Sequence, residues 1–140
     1  MSGRYHRWAM MCLILAVSGG CGGGDKQEEN VLNTVRGAIK FKGKDIPTAS
    51  IVSFHPKDGS STGQVISGTY SSEDSYFSVE TVKDGETFVG APVGEYIVTV
   101  ESPKRNPGAI PAKYAKPATS GLTVEIKQGM NNLKEITLQP

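Results

Sequence analysis

Cys21 is the residue whose type and surroundings indicate a definite chemistry. It lies in "LAVSGGCGGGDKQEEN", between an apolar run and a polar, glycine-rich stretch. Arg4 and Arg7 come first, then an apolar run from Trp8 to Val17, then the small residues 18–20. This is the three-part order of a secretory signal. The run has ten residues whereas a membrane-spanning helix needs about 20, so the sequence predicts export.

Small residues directly before a cysteine, with polar residues after it, resemble the lipobox of bacterial lipoproteins. The resemblance implies that residues 1–20 are the signal peptide, and that Cys21 becomes the first residue with diacylglycerol on its sulfur and an acylated amino group. Two or more acyl chains hold a protein stably on a bilayer. The chain departs from the family three residues before the cysteine, where Leu is usual and Ser18 stands here. In some lipoproteins of Gram-negative bacteria an aspartate directly after the cysteine marks retention in the inner membrane. Gly22 stands at that position here, so the resemblance permits sorting to the outer membrane.

Two other uses of Cys21 stay open. Ala16 and Ser18 form the A-x-S pattern of an ordinary secretory cleavage site, which would release a soluble secreted module. A disulfide with Cys12 is the second alternative. Cys12 lies inside the apolar run that the signal would lose, so we expect lipidation of Cys21 instead.

The polar stretch after Cys21 predicts a flexible linker, which gives the chain three parts. Residues 1–20 are the signal peptide, 21–33 the lipidated cysteine and linker, and 34–140 one domain. A flexible chain of a dozen residues has an end-to-end distance of about 20 Å. Without Arg4 and Arg7, 13 Lys and Arg face 14 Asp and Glu, a net charge of −1. This balance argues against a nucleic-acid partner.

His55, in "SFHPKDG", is the one histidine that would remain after the signal is removed. A general base needs a positioned nucleophile and an orienting group, yet no nucleophile motif accompanies His55. The sequence also has no zinc or EF-hand spacing, and the acids in "SSEDS" and "KDGE" are typical of solvated turns. We therefore expect no catalytic residue, no metal site and no cofactor.

The connection Ser102–Gly121, "SPKRNPGAIPAKYAKPATSG", is unusually long and contains no acid. Functionally, it could dock an acidic protein or an anionic polymer of the envelope. Alternatively, it is a proline-stiffened crossover between sheets, pinned to the core by Ile110 and Tyr114. A carrier of carbohydrate or another small ligand would instead use Tyr70, Tyr76 or Tyr114 for stacking. The predicted docking residues are Lys104, Arg105, Lys113, Tyr114 and Lys116.

From Thr34 onward, apolar and polar residues alternate with period two, and turn residues recur every eight to twelve positions. This pattern predicts an all-β sandwich or barrel. We expect inward-facing residues in "ASIVSFH", "SYFSVET" and "EYIVTVE", with Thr99 on the wet face of the last. Leu133 is out of phase with Ile136 and Leu138, which predicts a bulge or a late strand start. The count is seven strands.

The stretches "VRGAIKFKGKDIPTASIVSFHP", "YFSVET" and "APVGEYIVTVES" resemble the carboxypeptidase regulatory-like domain. The resemblance covers most of residues 34–138 and implies a seven-stranded, transthyretin-like (prealbumin-like) Greek-key β-sandwich. It departs at "SSEDSYF", where Ser75 occupies a position at which the family favours glycine. The family's hydroxyisourate hydrolase relatives end in Y-R-G-S, whereas this chain ends in "ITLQP", so the resemblance does not imply that activity.

Together these features predict a membrane-anchored, non-catalytic β-sandwich lipoprotein. Its expected location is the cell envelope, on the outer membrane or on the periplasmic face of a membrane, with display at the cell surface as a further alternative. Its expected role is that of a binding or structural module. The expected partners are the membrane, through the lipid, and an envelope protein or polymer.

Overall fold

The computed structural model describes residues 32–60 and 63–140. They form mostly β-structure in two sheets with both parallel and antiparallel pairing, so the predicted all-β fold class is confirmed. Cys21, the predicted signal peptide and most of the predicted linker lie outside the described residues. In the described part, no helix is both long and apolar enough to span a membrane.

The described residues contain eleven strand segments, one 3-10 helix (Ala112–Ala115) and one short α-helix, α1 (Pro117–Ser120). Eight segments lie within the seven predicted strands, because the first predicted strand contains both β1 and β2, and β3, β7 and β10 are additional. The strands are β1 (Val35–Gly37), β2 (Ile39–Phe41), β3 (Lys44–Asp45), β4 (Ile51–Pro56), β5 (Val65–Ser71), β6 (Tyr76–Lys83), β7 (Glu86–Val89), β8 (Gly94–Glu101), β9 (Leu122–Ile126), β10 (Asn131–Asn132) and β11 (Ile136–Leu138).

The larger sheet has the strand order β10-β1-β6-β5-β4-β8-β9, and β7 pairs with the part of β6 that β1 leaves free. The pairs β4–β5, β5–β6, β4–β8 and β8–β9 are antiparallel. The smaller sheet has the order β11-β2-β3, with β11 parallel to β2. The Greek-key connectivity that the resemblance implies stays a prediction.

The first predicted strand, residues 35–41, bends at Ala38 and passes from the larger sheet to the smaller one. The C-terminal residues 131–138 follow it in parallel. Leu133 N–H donates to the Arg36 carbonyl (2.8 Å) and Ile136 N–H to the Ala38 carbonyl (2.9 Å). A Cβ on Gly37 would lie 2.8 Å from the Phe77 ring, so only glycine allows this close approach. The bend thus produces two short strands where one was predicted.

Alternation along the strands places one face of the larger sheet in the core. Val52 and Phe54 on β4, and Phe77, Val79 and Thr81 on β6, are buried as predicted. The rings of Phe54 and Phe77 lie 6.0 Å apart between centroids. The smaller sheet and the connection after β8 supply the opposite side of the same core, which includes Ile39, Leu138, Ile110 and Tyr114.

Two predictions about side-chain phase had different outcomes. Thr99, predicted to be wet, is 1% exposed. The prediction was wrong because β8 lies between β4 and β9, and His55 reaches across from β4 with Nε2 3.0 Å from Thr99 Oγ1. The late strand start predicted from Leu133 is confirmed, since β11 begins at Ile136.

Candidate functional site

The connection Ser102–Gly121 leaves the end of β8 and returns along the sheet as β9. Its first part forms a turn in which Asn106 N–H donates to the Pro103 carbonyl (2.9 Å). Ile110 is buried, and its N–H donates to Ser102 Oγ (2.9 Å). The 3-10 helix and α1 follow one after the other, with only Lys116 between them. This connection is therefore a folded crossover that covers part of the core.

Tyr114 holds this crossover to the C-terminal strand. Its side chain is 4% exposed. The Gln139 N–H donates to the Tyr114 hydroxyl (2.7 Å), which donates in turn to the Gln139 carbonyl (3.1 Å). Because the ring is buried, it offers no platform for a sugar or a docking partner. The burial and hydrogen bonds of Tyr114 match the alternative of a pinned crossover, while the docking role of the connection stays a prediction.

The four basic side chains of the crossover lie at its surface, as a docking role requires. Lys104, Arg105, Lys113 and Lys116 are all exposed, and none has a salt-bridge partner among the described residues. Lys113 differs from the others because its Nζ donates to the Pro140 carbonyl (2.8 Å) and lies 5.1 Å from the Tyr114 ring centroid. The crossover therefore presents three cations, Lys104, Arg105 and Lys116, that have no partner within the described part of the chain.

Strand pairing adds two further lysines to the same end of the sandwich. Leu138 on β11 pairs with Phe41 on β2, so the chain leaves β11 beside the β2–β3 turn. That turn presents Lys42 and Lys44, both exposed. We call Lys42, Lys44, Lys104, Arg105, Lys113 and Lys116 the distal cationic end. Four of these six side chains were predicted from the sequence of the crossover, whereas Lys42 and Lys44 precede them by about 60 residues and reach this end only through strand register.

The charges at this end are mixed but not neutral. Six cationic side chains lie there with four carboxylate side chains, which are Asp45, Glu73, Asp74 and Glu101. Asp45 accepts a hydrogen bond from Ser75 Oγ (3.0 Å). By contrast, Lys57 and Lys127 at the opposite end lie 3.3 and 3.5 Å from the carboxylates of Glu95 and Glu125. The net charge of the chain is close to zero and therefore gives no sign that the two ends differ in charge.

His55 lies at the end of β4 beside a groove of about 280 Å³. Its described lining includes Ser53, Gln64 and Val65 but no carboxylate that could orient the imidazole. The ring is instead hydrogen-bonded to Thr99 within the sheet. In the described ranges, no group of three or more His, Cys, Asp or Glu side chains could hold a metal ion. This arrangement offers hydrogen-bonding groups without the parts of an acid–base pair.

The other two tyrosines considered for stacking differ in exposure. Tyr70 is buried; burial and then the nearby Asp45 carboxylate raise its pKa to about 12. Tyr76 is partly exposed, and the Arg36 guanidinium lies 5.5 Å from its ring centroid. Of the three candidates, Tyr76 alone presents ring surface to a ligand, and its ring already contacts Arg36. A single partly covered ring gives weak support to a carbohydrate carrier.

Comparisons with protein-family models, curated proteins and solved structures found no match to this chain. The functional argument therefore rests on the residues of the chain itself.

Proposed function

We propose that this chain is a lipid-anchored, non-catalytic β-sandwich module of the cell envelope, related to carboxypeptidase regulatory-like domains. The observation that carries the proposal is Cys21, which stands between a signal-like segment and a polar linker. The described domain supports it in one respect. Asn33, at the end of the predicted linker, joins the domain beside Ala91, just before β8 begins.

The position of this junction gives the anchored domain a direction. β8 runs from Gly94, near the junction, to Glu101, where the crossover starts. The distal cationic end therefore lies at the opposite end of the sandwich from the linker. A cation-rich surface held away from the anchoring bilayer is suited to an anionic polymer or an acidic protein of the envelope. We propose this surface as the binding face of the module.

Membrane fractionation of the Cys21→Ser variant tests the anchor. The native protein should require detergent for release, because acyl chains hold it, whereas Cys21→Ser should be released by salt or carbonate. Cys12→Ser is the matched control, since it changes the cysteine in the predicted signal peptide and should leave anchoring intact. Release of the native protein by carbonate alone would contradict stable anchoring.

Binding to inorganic polyphosphate and to poly-L-glutamate tests the distal cationic end. Replacing Lys42, Lys44, Lys104, Arg105 and Lys116 together with Gln should weaken binding by about tenfold or more at low salt. Gln at Lys57, Lys83 and Lys127 is the matched control at the opposite end, and it should change binding by less than about twofold. Equal effects of the two sets would contradict a localised binding face.

A further inference from the structure

The exposed apolar side chains of the described residues are concentrated near the linker junction. Four large apolar side chains are more than half exposed: Val65 (59%), Val89 (65%), Val93 (59%) and Met130 (73%). Scattered exposed valines need no explanation, but a group in one place marks a contact surface. Three of these four lie in two segments that are both bonded to Asn33.

Asn33 holds the two segments together. It exchanges two backbone hydrogen bonds with Ala91, of 2.8 and 3.0 Å, and its Nδ2 also donates to the Ala91 carbonyl (3.2 Å). Its Oδ1 accepts from Gly129 N–H (2.7 Å). Gly90 has φ 105°, and its Cα lies so close to Asn33 that a Cβ would be 2.4 Å from the Asn33 carbonyl oxygen. Val89 and Val93 therefore flank one contact with Asn33, and Met130 adjoins the other.

The same asparagine ends the predicted linker, 12 residues after Cys21. Through the contacts of Asn33 with Ala91 and Gly129, these three side chains thus adjoin the point at which the predicted linker enters the domain. A flexible linker of this length has a root-mean-square end-to-end distance of about 20 Å, so the junction spends its time close to the anchor. Tethering of this kind gives an effective concentration on the order of millimolar, so a weak apolar contact with the bilayer is sufficient to orient the domain.

We propose that Val89, Val93 and Met130, the apolar collar, rest in the interfacial region of the bilayer that holds the Cys21 lipid. This inference rests on the proposed lipid anchor. The lysine nearest Met130 in the chain, Lys127, is paired with Glu125 at 3.5 Å, and the cross-strand neighbour of Val89 is the exposed Glu80. The charges beside the collar therefore give it no attraction for anionic lipid, and the contact depends on its apolar side chains. With the collar on the membrane, the distal cationic end faces away from it.

A fluorescent label on a single cysteine tests the contact. In the mature lipoprotein the Cys21 sulfur is acylated and Cys12 is lost, so Met130→Cys supplies the one reactive thiol. The protein is reconstituted in phosphatidylcholine vesicles with and without a lipid that carries a nitroxide quencher. The label at position 130 should be quenched at least twofold more than the same label on Lys104→Cys at the distal end.

Two further measurements separate the possible failures. Vesicle flotation reports the anchor by itself: protein that does not float contradicts the proposed function, whereas floating protein with equal quenching at both positions overturns only the collar. Val89→Thr with Val93→Thr should lower quenching at position 130 by at least half without loss of flotation. Ile51→Thr, at a 44% exposed position at the distal end, is the matched control and should leave quenching unchanged.

Discussion

The two ends of the sandwich expose different kinds of side chain. Near the linker junction, Lys57 and Lys127 are paired with carboxylates, and three apolar side chains, Val89, Val93 and Met130, are more than half exposed. At the distal end, four of the six cations have no ion pair, hydrogen bond or ring contact among the described residues, Lys42 Nζ lies 5.1 Å from the Phe41 ring centroid, and Ile110 and Tyr114 of the crossover are buried. The comparison shows that a chain of nearly zero net charge can still expose different kinds of side chain at its two ends. Strand direction, and not composition, determines which residues lie at each end.

The largest effect is expected where the crossover is pinned at the distal end. Tyr114→Ala should lower the free energy of unfolding by about 3–5 kcal/mol, because it empties a buried aromatic site. Tyr114→Phe keeps the ring and removes the hydrogen bonds with Gln139, so it should cost about 1 kcal/mol. Urea unfolding of both variants measures the difference. A loss below about 1 kcal/mol for Tyr114→Ala would show that the crossover is not pinned by this residue.

The junction end should respond next most strongly, to Asn33→Ala. The change removes the acceptor of the Gly129 N–H and the side-chain donor to the Ala91 carbonyl, both in a buried region. We expect a loss of about 1–3 kcal/mol. The exposed Asn132→Ala is the control, with an expected change within about 0.5 kcal/mol. Equal unfolding midpoints for the two variants would remove Asn33 as the residue that holds the junction.

Tyr70 offers a pH test at the distal end of β5. Among the described residues its buried hydroxyl has no hydrogen-bond partner, so Tyr70→Phe should leave stability at pH 7 unchanged or raise it by about 1 kcal/mol. The folded-state pKa of about 12 exceeds the unfolded value of 10.0, so the folded state binds the proton more tightly.

The sign of the pH effect follows from this difference in pKa. The contribution of the Tyr70 hydroxyl to the free energy of unfolding is fully present below pH 10. It is lost as the pH rises from about 10 to about 12. Unfolding of the native protein and of Tyr70→Phe, compared between pH 9 and 11.5, measures it. As the pH rises, the free energy of unfolding should fall more steeply for the native protein than for Tyr70→Phe. Parallel curves would contradict a raised pKa for Tyr70.

The smallest effect is expected for the paired surface charges near the junction. Lys57 Nζ lies 3.3 Å from Glu95 Oε2, and both side chains are more than half exposed. Lys57→Gln should therefore change the free energy of unfolding by less than about 0.5 kcal/mol. Thermal unfolding at low and high salt checks this. A change above about 2 kcal/mol would mean that pairing at this end is structural.

Alternation was sufficient to predict the strands whose two faces have different surroundings. The buried faces of β4 and β6 follow their sequence pattern, because one side packs on the core and the other meets water. Thr99 broke the pattern because burial on the outer face depends on neighbouring strands and on a side chain 44 residues away. The sequence of β8 alone carries no sign of this.

Two turn signals could have given more of the fold. Asp84 and Gly85 have φ of 53° and 83° and join β6 to β7 as a two-residue hairpin. Asp-Gly is a strong signal for such a turn, although the sequence around it was interpreted as a solvated loop. Lys42 and Gly43, with φ of 53° and 73°, form the corresponding turn between β2 and β3. Recognising that hairpin would have placed Lys42 and Lys44 at its tip.

The four crossover cations were predicted from sequence, but the addition of Lys42 and Lys44 to them and the apolar collar could not be predicted by the same means. Each cluster combines residues from distant segments, and only the parallel pairing of β2 with β11 and the bonds of Asn33 bring them together. Cys21 differs, because its chemistry depends on its immediate neighbours in the chain. Local signals therefore indicated the anchor, whereas both surfaces required the fold.

The mass of the mature N-terminal peptide, isolated from the membrane fraction, tests the central claim most directly. We predict a peptide that begins at Cys21 and carries the added mass of acyl chains. An unmodified peptide that begins at Gly19 would contradict the claim, because it would identify a freely secreted domain whose Cys21 thiol is unprotected.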